Sequence, residues 1–272
     1  MVASSNPPGH LYRPEETHRP HSHGLDHLSM IVSGTVIETV HGRREVAGPL
    51  SVVFKAAGVV HANAFGPLGA RLLQIRIPEA ITEQTLDDDR ALASWRWFRD
   101  PEVSTAFLRL ALRPRATETN ASENSDDAEV ADLLALLSRR PALPPRGLPP
   151  RWLSELIDTI RLNPQPPGRV ADIAEKAGVH PVYLARCVRR WYGHGVADEL
   201  RRCRLARAVE AVALRGDSMS AVAHECGYAD HPHFCRDMRQ TIGVSPMSLR
   251  EKLAAVRFIP PPPLSPVRPT AG

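Results

Sequence analysis

No stretch of this 272-residue chain approaches the ~20 uninterrupted apolar residues of a membrane-crossing helix, and its first residues lack the short apolar core of a secretory signal. Those absences exclude a helical membrane span, leave no membrane partner to expect, and set the expectation of a cytoplasmic protein. Cysteine is scarce. The four present, Cys187, Cys203, Cys226 and Cys235, all fall in the last third of the chain, on segments that read as helices, which excludes a disulfide framework in a reducing compartment. Net charge is small at +4, but it is not evenly spread. Residues 1–150 hold 16 basic against 18 acidic side chains and residues 151–272 hold 18 against 12, so a slightly acidic part precedes a basic one. That division suits a nucleic-acid-binding module joined to a sensing or pairing module.

What is present is a pattern that occurs twice. Ile173, Ala174, Ala177, Gly178 and Val179 lead into Leu184, Arg186 and Gly193; Val222, Ala223, Cys226, Gly227 and Tyr228 lead into Phe234, Arg236 and Gly243. Two short helices crossing steeply need a small residue at their contact, a left-handed turn and apolar residues closing a small core. Ala174 and Ala223, Gly178 and Gly227, and the pairs Leu184/Val188 and Phe234/Met238 supply these in turn. The outer face then carries Arg186, Arg189 and Arg190 in one copy and His231, His233, Arg236 and Arg239 in the other. Guanidinium groups bond guanine edges or clamp phosphates, and a helix fits the major groove. The 49-residue offset between the two glycines grows to 50 at Leu184 and Phe234, which predicts a second turn one residue longer. Between the copies, residues 196–214 read as one long helix able to hold two recognition helices about one DNA turn, ~34 Å, apart. Its arginines, Arg201, Arg202, Arg204 and Arg207, are read either as phosphate contacts or as solvated side chains or partners of Glu199 and Glu210. Zinc at His224, Cys226, His233 and Cys235 is a minor alternative, as is redox sensing by these cysteines.

The stretch from Trp152 to Arg250, with its segments Val170-Ala-Asp-Ile-Ala174, Tyr183-Leu-Ala-Arg186, His233-Phe-Cys-Arg236 and Gly243-Val-Ser-Pro246, resembles the AraC/XylS family of bacterial transcription regulators. The resemblance implies a seven-helix DNA-binding domain, residues 151–253, with two helix-turn-helix units. It places base-reading positions on Val182, Ala185, Arg186, His231, Pro232, Cys235 and Arg236. Of these, Arg186, Arg236 and His231 carry groups able to bond base edges, and Val182 can make methyl contacts.

The first part of the chain reads differently. β-branched runs at 29–32, 35–40, 50–54, 59–64 and 70–77, punctuated by glycine and proline, with Gly34 as a turn, suggest a small β-barrel or jelly roll over residues 11–78 after a flexible start at 1–10. His21-x-His23, His27, Gly34 and Gly58-x-x-His61 are similar to the two motifs of cupins, with His27 in place of the usual Glu. The resemblance implies that His21, His23, His27 and His61 converge on one divalent ion, Zn, Fe, Ni, Cu or Mn. A metal-free pocket for a small-molecule effector, using the same histidines with Asn63 and Gln74, stands beside it. Residues 79–113 read as two helices broken at Pro101, in which Trp95, Phe98 and Phe107 either join two chains in a homodimer or cover the barrel of their own chain. A mobile acidic linker (114–128), a helix (128–140), a Pro-rich joint (141–150) and a disordered Pro-rich tail (254–272) complete the expectation.

The fold class expected is therefore α+β and multidomain. The function expected is that of a transcription regulator, not an enzyme, binding double-stranded promoter DNA under control of a small molecule, with RNA polymerase a further partner if it activates. The alternatives are a metal-dependent cupin enzyme fused to a DNA-binding domain, for which Asp26 is the sole carboxylate adjacent to the motif in sequence, and a ligand-free DNA-binding scaffold.

Overall fold

The computed structural model describes residues 9–85, 94–113, 123–139, 149–162 and 169–262. The joint at 141–148, Leu86, Ala91 and Leu92 of the expected first helix, residues 114–122 of the expected linker and residues 263–272 lie outside them.

A mixed eight-stranded sheet is built around two long strands, β3 (His27–Val40) and β6 (His61–Arg76), paired antiparallel along their length. Each was expected as two short strands. Gly34 is not a turn: at φ +77° it sits where the β3–β6 register shifts, and a Cβ there would lie 2.0 Å from the Gly69 carbonyl oxygen. A positive φ serves a bulge as well as a turn, and here it lets the two strands bend together without breaking. On one side of the bend β3 pairs β5 (Val52–Lys55) and β6 pairs β1 (Gly9–Tyr12); on the other β3 pairs β4 (Arg43–Ala47) and β6 pairs β2 (Thr17–His21).

Two further strands correct the expected boundaries. Trp95–Phe98 forms β7, antiparallel to β5, so Trp95 and Phe98 are strand residues and not helical anchors. Phe98 and Phe107 are buried in their own chain's core, and the Trp95 indole N–H donates to Glu38. Phe258–Ile259 forms β8, parallel to β1, so this part of the tail is ordered and the sheet begins at Gly9. The expected second helix is α2 (Pro101–Ala111), capped by Asp100, whose side chain accepts from the Glu102 N–H. Following α1 (Glu79–Thr85) and α2, helix α3 runs Glu123–Ser138, so residues 123–128 are helical and do not belong to the linker.

Seven helices follow: α4 (Arg151–Leu162), α5 (Val170–Lys176), α6 (Pro181–Tyr192), α7 (Val196–Leu214), α8 (Met219–Glu225), α9 (His231–Ile242) and α10 (Pro246–Ala254). Their apolar residues divide unequally. Leu153, Ile157, Ile173, Ala174, Leu184 and Val188 close a core belonging to α4–α6 and the start of α7. Phe234, Met238, Val222, Leu249 and the rest of α7 instead continue into the cluster formed by β3, β5, α2 and α3, through Leu28, Phe54, Phe107 and Leu134. Polar links reinforce this junction: Thr105 donates to the Thr241 carbonyl at 3.1 Å, and the Gly34 N–H donates to Glu210 at 2.5 Å.

Candidate nucleic-acid interface and histidine pocket

Each repeat copy is a tight helix pair with a left-handed glycine between its helices. Gly178 has φ +65° and Gly227 φ +78°, and the residue after each bonds back to the small contact residue: Val179 N–H to the Ala174 carbonyl at 3.0 Å, Tyr228 N–H to that of Ala223 at 2.9 Å. Ala174 and Ala223 are buried where a larger side chain would force the helices apart. Both second helices begin on a cap followed by proline. His180 accepts from the Val182 N–H, with Pro181 at the first position, and Asp230 accepts from the His233 N–H at 2.6 Å, with Pro232 at the second. Leu184, Val188, Phe234 and Met238 are fully buried, which fixes the outward face by helical geometry.

On that face Val182, Ala185, Arg186, Arg189 and Arg190 of α6 are exposed, as are His231, Pro232, Arg236 and Arg239 of α9. Val182 retains 55% of its surface, so its methyl groups are open to an external contact. Cys235 and His233 are half-buried, and His233 packs edge-on against Tyr228 with ring centroids 5.4 Å apart. Among the described residues no ion pair engages Arg186, Arg189, Arg236 or Arg239, so their guanidinium groups stand ready for an external anion. The linking helix α7, at 19 residues, is about 28 Å long.

Arg201 and Arg204 of α7 behave otherwise, and the partners expected for these two are corrected. Arg201 bonds Asp237 on α9 at 2.5 Å, while the Arg204 guanidinium lies over the Tyr228 ring at 5.9 Å. Glu199 takes Arg161 of α4 at 2.6 Å and His194 at 2.5 Å, and Glu210 takes the Gly34 amide. Burial alone would raise the Glu199 pKa, but Arg161 and His194 overcome it and hold the carboxyl well below the usual carboxylate range. Asp237, which sequence reasoning passed over, is the buried anchor of α9: it also accepts from the Tyr228 hydroxyl at 3.0 Å. An aspartate on the inner face of an amphipathic helix, adjoining Met238, was the available signal.

The four cysteines are reduced. Cys226 is buried; Cys187 and Cys203 are half-buried, and burial pushes the Cys203 thiol up to about 12, which makes it unreactive. Among the described residues a group with metal-ligand spacing occurs in the sheet and not among His224, Cys226, His233 and Cys235.

That group is His21, His23 and His61, whose ligand atoms lie within 4.8 Å of one another. His21 and His23 line a cavity of about 280 Å³ to which His27, Asn63 and Gln74 also contribute, whereas His61, expected there too, is buried behind that lining. His27 stands outside the trio. Its ring centroid is 4.7 Å from that of His23, its Nδ1–H donates to the Leu25 carbonyl at 3.3 Å, and its buried Nε2 has no hydrogen-bond partner. The Nδ1–H groups of His21 and His61 donate to the carbonyls of Arg19 and Val59, at 2.9 and 3.0 Å, which leaves each Nε2 lone pair facing inward. Such backbone-fixed imidazoles suit a divalent ion. One cation is already there, however. The Lys55 ammonium, buried with Glu38 at 2.8 Å, lies 3.3 Å from His61 Nε2 and competes for the lone pair a metal would use. Burial first, and then Lys55, lowers the His61 pKa to about 2; burial and Lys55 likewise bring that of His23 to about 4. The imidazoles are therefore neutral at pH 7. Lys55 and Glu38 were missed in the sequence, although each is a charged residue in an otherwise β-branched or aromatic run.

Residues 173–252 match the family model described as a helix-turn-helix domain. The regulatory protein PocR of Salmonella typhimurium is 26% identical over 85 residues, 31% of this chain and 28% of PocR. The putative HTH-type transcriptional regulator YkgA of Escherichia coli is 27% identical over 100 residues, 37% of this chain and 42% of YkgA. The chain thus spans less than half the length of the curated relatives it matches. Among solved structures, ToxT from Vibrio cholerae aligns over 92% of this chain and 98% of its own, at 10% identity and a TM-score of 0.39. Residues 173–252, with their paired left-handed glycines, thus form a helix-turn-helix domain similar to those of curated regulators.

Proposed function

We propose that the chain is a sequence-specific transcription regulator whose two recognition helices, α6 and α9, enter successive major grooves of promoter DNA. The observation that carries this reading is the repeated outward face: two helices on equivalent left-handed turns, each presenting arginines without ion-pair partners, joined by one helix of suitable length. It is a regulator rather than an enzyme in this reading, in keeping with the names of the two curated relatives. We further propose that the bent sheet is a cupin-like barrel and that its histidine cavity is the effector site, of a size for a small polar molecule. His21, His23, His27, Asn63 and Gln74 belong to its polar lining, and His61 adjoins them through the trio it forms with His21 and His23. A divalent ion held by His21, His23 and His61 is a second form of that site, and it requires Lys55 to leave His61.

The test is enrichment of genomic fragments by the purified protein, then footprinting of the winners. Two protected segments about one turn apart are expected, with affinity falling steeply with salt as phosphate contacts are screened. Binding without sequence preference, or protection of a single groove, would refute the reading.

A further inference from the structure

The C-terminal segment leaves α10 and runs back to the first strand of the sheet. Val256 is buried in the core, and Phe258–Ile259 then pairs with Gly9 and His10, with the Gly9 N–H donating to the Arg257 carbonyl at 3.1 Å. The seat for the Phe258 ring is a glycine: a Cβ on Gly9 would lie 2.4 Å from the ring's Cδ1. Arg71, on the neighbouring β6, lays its guanidinium over the same ring at 5.4 Å. Beyond the strand, Pro261 and Pro262 line the histidine cavity together with His10.

We propose that the β1 edge and the adjoining mouth of the histidine cavity form a docking surface for the chain's own residues 258–262, a removable wall that controls access to the cavity. Resting on the effector-site reading only for its biological use, the proposal stands on three features of the contact. First, the seat is shaped for an aromatic ring by the one residue type without a Cβ. Second, the docked stretch is short: a two-residue strand with half-buried side chains contributes little and can detach without unfolding the sheet. Third, the tether is short at the other end too, because a single residue, Ala255, separates Ala254, the end of α10, from Val256 in the core. A molecule filling the cavity therefore meets the segment that emerges from the second helix-turn-helix unit. An edge strand covered by its own chain is also protected from pairing with another.

The test uses diethyl pyrocarbonate, which acylates accessible neutral imidazoles, on the full-length protein and three variants: Gly9→Val, Phe258→Ala and a chain ending at Arg257. Modification at His21 and His23, which line the cavity, is followed by peptide mass spectrometry, with exposed His180 and His231 in the same molecules as internal standards. At least a fivefold faster reaction of the cavity histidines is expected in all three variants, with His180 and His231 unchanged. The truncated chain keeps the test valid if Gly9→Val fails to fold, since it leaves β1 intact. Equal cavity rates in intact and truncated protein would overturn the proposal. So would protection that disappears on dilution, because the wall would then come from a second copy. The readout needs no DNA, so it is independent of whether the chain is a regulator.

Discussion

Replacing Asp237 should separate the two DNA-reading units. Its carboxylate accepts from Arg201 of α7 through Oδ1 and from the Tyr228 hydroxyl through Oδ2 at 3.0 Å, which ties α9 to the linking helix and to the turn before it. The Arg201 side chain is 57% exposed, so after solvent screening this ion pair is worth at most about 1 kcal/mol. The larger loss lies with Tyr228, which is 4% exposed and whose hydroxyl would be left without a partner, at roughly 1–3 kcal/mol. Asp237→Ala should therefore destabilise the chain by roughly 2–4 kcal/mol, whereas Asp237→Asn, which keeps an acceptor for Arg201, should cost about 1. Urea titration gives the totals. Footprinting then locates the damage: because α4–α6 have a core of their own, protection by α6 should survive while that by α9 weakens. Loss of both footprints in equal measure, or an Asp237→Ala change below about 0.5 kcal/mol, the range of an ordinary surface substitution, would refute the reasoning.

Arg186→Ala and Arg236→Ala should each weaken binding to the selected site by roughly 1–3 kcal/mol while leaving the melting temperature in place, as measured by fluorescence anisotropy and calorimetry; an unchanged affinity would remove that residue from the interface. Glu199 should make the junction acid-sensitive. Its folded pKa is depressed, so its contribution is complete above the ordinary carboxylate value of 4.5 and is lost progressively as pH falls below it, and Glu199→Gln should flatten the stability profile in that window. Gly34→Ala combines a positive φ with a Cβ 2.0 Å from a backbone oxygen and should destabilise the sheet by more than about 3 kcal/mol, visible as lost soluble yield or a lowered melting temperature. Elemental analysis of protein purified without a metal-affinity tag checks the cavity: Lys55→Met should raise zinc occupancy above that of the parent, and equal occupancy would mean that Lys55 does not compete.

The helix-turn-helix half was legible because its signals are local. A left-handed glycine, a small contact residue and an i,i+4 apolar pair are fixed by a few neighbours, and the one-residue difference in offset appears as connections of residues 177–180 and 226–230. The sheet half was legible in kind but not in detail. Gly34 satisfies a turn and a bulge equally, and what distinguishes them is the Gly69 backbone, 35 positions away in the sequence. Trp95 and Phe98 fall three apart, a helical interval; that Trp95–Phe98 is a strand depends on the free edge of β5, which no local pattern encodes. The same holds for Phe258, whose partner is the ninth residue of the chain.

The structure makes the two repeat copies unequal in a way their side chains alone do not. On sequence the first copy, with three arginines on its outer face, is the stricter reader, and the second mixes histidine, proline and arginine. In the fold the first unit closes its own core, while the second shares its core with α2, α3 and the inner strands and gives rise to the segment that walls the histidine cavity. A change in the sheet therefore acts on α9 through packed contacts and reaches α6 mainly through α7 and the Arg161–Glu199 and Arg44–Asp158 pairs. Close-packed interiors pass on displacements, whereas the half-exposed Arg44 pair is screened by water. The unit with the plainer DNA-reading face is thus held independently, and the unit with the weaker face is the one the sheet can move. If the cavity is the effector site proposed above, regulation through it takes the form of adding or withdrawing the second half-site while the first stays bound.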